Sequence, residues 1–275
     1  MTDLARVSHG VWREPSDIVD LAGRAAALLT GIAPGSVVSG LSAARLHGLW
    51  LPSSAHVGPV EFITHPGAEQ PRAHAHSERS EVRLRRCRLR RDEIVNVDGL
   101  DVTCIERTWI DIAERLTLLD VVAAGDSALR GGAGTDSLAD AVGRGRGRRG
   151  VRAARAALTL LDARSRSRPE SHLRAGFVLR GLVPSGVNQP VFDDLGQWLA
   201  EPDLSFDDAR LAVEYNGADH ATTDRMRRDM TRQVDLGDRG GWQTVAFGPA
   251  QVFGRLDQCA AYVARVRRER IGVRI

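Results

Sequence analysis

The sequence predicts a mixed α/β protein built in two parts. Residues 165–270 run helix, three closely spaced strands, helix, strand, helix, and residues 16–142 interleave short strand-like runs with amphipathic helices. The glycine- and arginine-rich stretch GRGRGRRG at residues 143–150 divides the two. With 275 residues the chain is long enough for two ordinary domains, each with its own core. No apolar run approaches the ~20 residues that cross a bilayer. Cys87, Cys104 and Cys259 are too few and too scattered for a disulfide framework. The start MTDLARVSHG lacks the apolar segment of a secretion signal, so a cytoplasmic location is expected.

Each element has its own warrant. Residues 4–13 alternate apolar and polar around His9-Gly10 and read as a hairpin; residues 16–31 carry apolar side chains at helical spacing behind Ser16. Residues 37–50 read as a helix opened by Ser39 or Ser42 and closed at Gly48. A strand at 57–63 precedes a proline- and histidine-rich loop at 65–80. His65, His74 and His76 lie in that loop without acid or cysteine partners and are read as loop residues, not metal ligands. Residues 81–91, EVRLRRCRLRR, alternate and then shift phase by one, the pattern of a bulged strand with one cationic face. A strand at 100–104 and helical segments at 108–119, 121–129 and 137–142 follow, with Trp12, Trp50 and Trp109 as core or interface aromatics.

The boundary stretch contains G-x-G-x-x-G at Gly145, Gly147 and Gly150, but a helix precedes it instead of a strand, so it reads as a flexible basic linker, not a dinucleotide site. After a helix over 151–163, Ser167, Pro169 and Glu170 open the next one: a cap, a proline in the first turn and an acid at the positive dipole end. Strands over 187–192, 199–206 and 210–215 are separated by turns at 193–197 and 207–209. A polar helix over 222–238, a strand over 242–247 and a helix over 255–268 complete the order.

Charge composition narrows the chemistry. The 38 cationic side chains against 35 acidic ones are all arginine, and a guanidinium keeps its proton near neutrality. Lysine bases, Schiff bases and P-loop lysines are excluded. What remains is carboxylate chemistry. Asp203 follows Pro202 inside a strand pattern, where aspartate is disfavoured, and Glu214 ends the apolar run Leu211-Ala212-Val213. A turn at 207–209 brings both to one end of an antiparallel hairpin. Two carboxylates there suit a hard cation such as magnesium, which polarises a phosphoryl oxygen and acidifies its bound water. Pairing with Arg227 or Arg232 on the next helix is the structural alternative.

Glu170, Pro202-Asp203, Glu214-Tyr215-Asn216, Gly217 and His220, followed by Asp229, Arg232 and Gly241-Trp242, resemble the PD-(D/E)-x-K nuclease superfamily, in the branch similar to very-short-patch-repair endonucleases. The resemblance covers about residues 165–270 and implies a restriction-endonuclease-like mixed sheet flanked by helices. It implies Asp203, Glu214 and Glu170 as ligands of Mg2+ or Mn2+. Asn216 stands where the superfamily carries lysine; an amide can orient water but takes no proton, leaving that role to His220.

LSAARLHGLW, DVTCIERTWIDIA and DSALRGG in the first half resemble actinobacterial AbiEi antitoxin-like proteins. This implies an α/β antitoxin-like region over 1–142 with a truncated wing at its start, a basic linker and helix over 143–164, and the nuclease-like domain over 165–275. The implied partners are DNA and a cognate toxin. Arg83, Arg85, Arg86 and Arg88, with Arg227 and Arg232, are the arginines expected to meet phosphates. The expected function is a metal-dependent DNA endonuclease, with a non-catalytic DNA-binding regulator or antitoxin as the alternative.

Overall fold

The computed structural model describes residues 5–8, 11–13, 20–68, 81–217 and 235–273. It is a mixed α/β structure of two compact units, Met1–Leu158 and Thr159–Ile275. No helix among the described residues is long and apolar enough to cross a membrane.

In the first unit, β1 (Ala5–Ser8) and β2 (Val11–Arg13) form the expected hairpin. Helix α1 (Leu21–Leu29) is capped by Asp20, whose Oδ1 accepts the Gly23 N–H at 2.8 Å. Ser16, the expected cap, lies outside the described residues. Five strands follow: β3 (Val37–Val38), β4 (Val60–Thr64), β5 (Val82–Arg86), β6 (Ile94–Val97) and β7 (Leu100–Thr103). Their order is β5-β4-β3-β7-β6, with β4/β5 and β3/β7 parallel and the other pairs antiparallel. Val38, Val60, Phe62 and Val102 bury one face against α1 and α2 (Gly40–Leu46).

Two expectations here are corrected. The helix expected over 37–50 begins as β3, because Ser39 is extended and α2 starts only at Gly40, at φ +57°. The bulge expected in 81–91 is absent: β4 and β5 pair without a shift from Val60↔Val82 to Thr64↔Arg86, and regular pairing ends there.

Helices α3 (Ile105–Ile112), α4 (Leu118–Arg130), α5 (Thr135–Arg144) and α6 (Val151–Leu158) complete the unit. Trp109 is fully buried and donates its indole N–H to the Val121 carbonyl at 2.8 Å, tying α3 to α4. The expected flexible linker is also revised. Residues 143–150 belong to this unit, and a Cβ on Gly150 (φ +80°) would stand 2.3 Å from the Ile110 carbonyl, so only glycine lets the chain lie against α3.

The second unit opens with α7 (Arg168–Val178), its N-cap Ser167 and Pro169 placed as the sequence predicts. The strands are β8 (Gly186–Val187), β9 (Val191–Phe192), β10 (Trp198–Ala200), β11 (Leu204–Phe206), β12 (Leu211–Tyr215) and β13 (Gln243–Phe247). The main sheet runs β13-β12-β11-β8; β8, β11 and β12 are antiparallel neighbours, and β13 lies parallel to β12. β9 and β10 form a separate hairpin, so two of the three expected long strands are each split in two. Asn188 at φ +46° and Pro190 make the first break. Helices α8 (Pro249–Gly254) and α9 (Leu256–Val273) end the described chain. Leu173, Phe177, Leu204, Phe206, Val213 and Val263 pack in one core, while Ala212, Leu199, Leu236 and Trp242 form a smaller one. Most of the polar helix expected over 222–238 lies outside the described residues; residues Asp235–Arg239 form a π-helical turn.

Candidate active site

The β11–β12 hairpin is fixed by its apolar residues and its turn. Leu204, Phe206, Leu211 and Val213 are fully buried, and Asp207–Ala209 make a 3-10 turn that returns the chain through Arg210 in the left-handed region at φ +45°. That conformation costs a side-chain-bearing residue about 1 kcal/mol. Arg210 is held in place by an ion pair to Asp194 and a 2.9 Å hydrogen bond to the Gly240 carbonyl.

The hairpin register pairs Leu204 with Val213, so Asp203 and Glu214 stand opposite one another one residue further along, at the same end. Both are half-buried. Asp203 Oδ2 accepts the Tyr215 N–H at 2.7 Å, which keeps this carboxylate over the end of β12. Glu214 lies beside Ala246 in the parallel β12–β13 pair, at the carboxyl ends of two parallel strands. Asn216 is exposed and donates its N–H to the Phe247 carbonyl at 2.9 Å, extending the pairing beyond both strands.

Glu170 is buried at the first turn of α7. Its Oε2 accepts the Arg166 N–H at 2.8 Å and the Asn188 side-chain amide at 2.7 Å, and its Oε1 accepts the Ser167 hydroxyl at 2.7 Å. Those donors account for its position between α7 and β8. Asn188 was not singled out by sequence reasoning. It donates its backbone N–H to the Asp203 carbonyl at 3.0 Å and its amide to both Glu170 and the Arg164 carbonyl. One residue therefore links the helical acid to the strand acid. Its signal was the Asn-Gln-Pro sequence, since asparagine tolerates the left-handed region.

Asp203 and Glu214 offer two hard oxygen donors, enough for magnesium or manganese when water and substrate phosphate complete the shell. Among the described residues no group of three histidine, cysteine, aspartate or glutamate side chains is arranged to hold a metal, so Glu170, Asp203 and Glu214 do not come together as a three-ligand set. Burial pushes the Cys104 thiol up to about 11 and raises Cys259 as well, which disfavours the thiolate form at either. His220, Arg227, Asp229 and Arg232 lie outside the described residues.

The expected phosphate-binding arginines of the first unit divide into two groups. Arg86 and Arg88 are exposed. Arg83 and Arg85 share one face of β5 and point at buried acids: Arg83 pairs across the sheet with Glu61, and Arg85 donates to Asp111 at 2.5 Å. His65 is exposed and its Nδ1 accepts the Gly67 N–H at 3.2 Å.

Comparison with known proteins adds sequence relatives. The chain is 32% identical over 171 residues to the uncharacterized proteins MT2308 and Rv2248 of two Mycobacterium tuberculosis strains. The matched segment is 62% of this chain and 62% of each relative, so the chain spans under two thirds of the relatives' length. No family model matches it, and no solved structure does.

Proposed function

We propose that the second unit is a metal-dependent endonuclease-like domain acting on DNA phosphodiester bonds, with a restriction-endonuclease-like core. The placement of Asp203 and Glu214 at one end of the β11–β12 hairpin, with Asp203 bonded to the Tyr215 N–H and Glu214 beside Ala246 of β13, is the observation that carries this reading. The element order supports it: a helix bearing a buried acid, three antiparallel strands, and a further strand parallel to the third.

Asp203 and Glu214 are the residues that would hold the divalent ion, and Asn188 and the Tyr215 N–H fix Asp203 from its backbone and side-chain ends. The bound ion supplies Lewis-acid activation of the phosphoryl oxygen and of a water. Asn216, exposed just past β12, orients water by hydrogen bonding, and His220 takes the proton. Glu170 acts as a positioning residue through Asn188, not as a direct ligand, because its oxygens already accept three donors from the protein.

Calorimetric titration of Mg2+ and Mn2+ into the wild type and Asp203→Ala, repeated with DNA present and followed by plasmid nicking, tests the reading. Binding and nicking that vanish together in the variant support it; undiminished nicking by Asp203→Ala sinks the site.

A second reading, a DNA-binding regulator or antitoxin with a nuclease-like fold and no turnover, is favoured by Asn216 in the lysine position and by Glu170's engagement within the protein. Promoter binding with a steep salt slope and no cleavage with any divalent ion would select it. The first unit's antitoxin-like motifs make a cognate toxin the expected protein partner under this reading.

A further inference from the structure

The first unit contains a cleft of about 430 Å³ between β4–β5 and the C-terminal end of α3. Arg83, Arg85, Arg115 and Arg149 line it above two buried carboxylates, Glu61 and Asp111. Glu61 Oε1 meets both Arg115 and Arg83, the latter at 3.7 Å, while its Oε2 accepts the Leu41 N–H at 3.1 Å. Asp111 Oδ2 accepts from Arg85 at 2.5 Å and from Arg107 Nε at 2.9 Å. Each carboxylate sits under the guanidiniums and fixes them, and the guanidinium ends remain open: Arg83 is 55% exposed, Arg85 43% and Arg149 84%.

A buried carboxylate is costly unless charge and hydrogen bonds compensate it, and here they do more than compensate. Arg107 continues to Glu93 at 3.1 Å, Glu93 to Arg148 at 2.7 Å, and Arg149 reaches Glu114 at 3.4 Å. The cleft itself is lined by four arginines, Arg83, Arg85, Arg115 and Arg149, and three carboxylates, Glu61, Asp111 and Glu114, an excess of one positive charge. A guanidinium has five N–H donors in a rigid fork that matches phosphate oxygens, and the cleft arginines use only part of that capacity on their acids.

We propose that this cleft binds a phosphate monoester, whose terminal oxygens take the guanidinium N–H donors that the acids leave open. The assignment rests on the first unit alone and stands apart from the reading of Asp203 and Glu214. Such a group has two sources, a free phosphate ester or the terminal phosphate of a nucleic acid strand.

The test uses the full chain at constant ionic strength, titrated calorimetrically with inorganic phosphate and with one oligonucleotide in 5′-phosphorylated and 5′-hydroxyl forms. The variant is Arg83→Gln combined with Arg149→Gln. Both side chains are largely exposed, and Glu61 keeps Arg115, so the fold persists, as circular dichroism checks. Phosphate is expected to bind the wild type and to lose at least tenfold in affinity in the variant. A phosphorylated strand binding tenfold tighter than its hydroxyl form in the wild type alone assigns the nucleic acid end; equal binding of the two strands assigns the free ester. Absence of phosphate binding in the wild type, or equal phosphate binding by the variant, overturns the proposal.

Discussion

Replacing Glu93 with glutamine removes the anion between Arg107 and Arg148, and the structure gives a scale for the loss. Burial alone would raise the Glu93 carboxyl, but the hydrogen bond from Arg148, the Arg90 N–H and the charge of Arg107 outweigh it and hold the pKa at about 2, against an ordinary 4.5. Each tenfold change in an ionisation constant is worth about 1.4 kcal/mol, so the ionised native carboxylate contributes about 3 kcal/mol. Because the folded pKa lies below the unfolded one, that contribution is complete above about pH 5 and is lost as pH falls toward 2; by pH 3.5 about 1.4 kcal/mol of it is gone. Glu93→Gln is therefore expected to be less stable than wild type by about 3 kcal/mol at pH 7, with a difference that narrows by about half at pH 3.5. Urea unfolding at both pH values, followed by far-ultraviolet circular dichroism and tryptophan fluorescence, measures it. A stability difference that stays constant from pH 7 to pH 3.5 would refute the reasoning, since a packing defect has no reason to follow the titration of a carboxyl group.

Three further substitutions probe other links. In Gly40→Ala the new Cβ would meet Glu61 Oε2 at 1.9 Å and the backbone would keep φ +57°, so Glu61 must leave the Leu41 N–H; a loss of about 2–3 kcal/mol is expected in thermal unfolding, and an unchanged midpoint would contradict it. Asn188→Ala removes the amide hydrogen bonds to Glu170 and the Arg164 carbonyl, with an expected cost of about 1–3 kcal/mol and, if the proposed metal site is correct, weaker Mn2+ affinity in calorimetry; wild-type stability would count against it. Trp109→Phe leaves the buried Val121 carbonyl without its indole donor and opens space between α3 and α4, so a fall of about 2 kcal/mol is expected in chemical denaturation.

Local chemistry made much of the second unit legible. The cap and first-turn proline of α7, the turn at Asp207–Ala209 and the glycine pair before β13 are short-range signals, and the structure has all three elements. The facing positions of Asp203 and Glu214 follow from that turn alone, because side-chain period and loop length fix hairpin register. What escaped depends on contacts between distant residues or on single backbone angles. Asn188 at φ +46° ends β8 and recruits Glu170, 18 residues away. Glu93 follows the cationic strand in sequence, yet it is buried, its partners Arg107 and Arg148 coming from α3 and the segment before α6. Arg85 is among the arginines expected to meet phosphates, yet it pairs within the protein with Asp111, 26 residues on. No periodicity reports such pairings.

The five-stranded sheet of the first unit has a narrow waist. Its central strand, β3, contributes only Val37 and Val38, and Val38 alone pairs with both Phe62 on one side and Val102 on the other. The two flanking pairs, β4–β5 and β6–β7, have much longer ladders of their own. Each outer pair has a ladder of its own, and β3 joins β7 only when a chain separation of 64 residues closes at a single rung. Loop-closure entropy falls on that event, and amide exchange at Val38 is expected to report rupture of the whole sheet rather than fraying of either half.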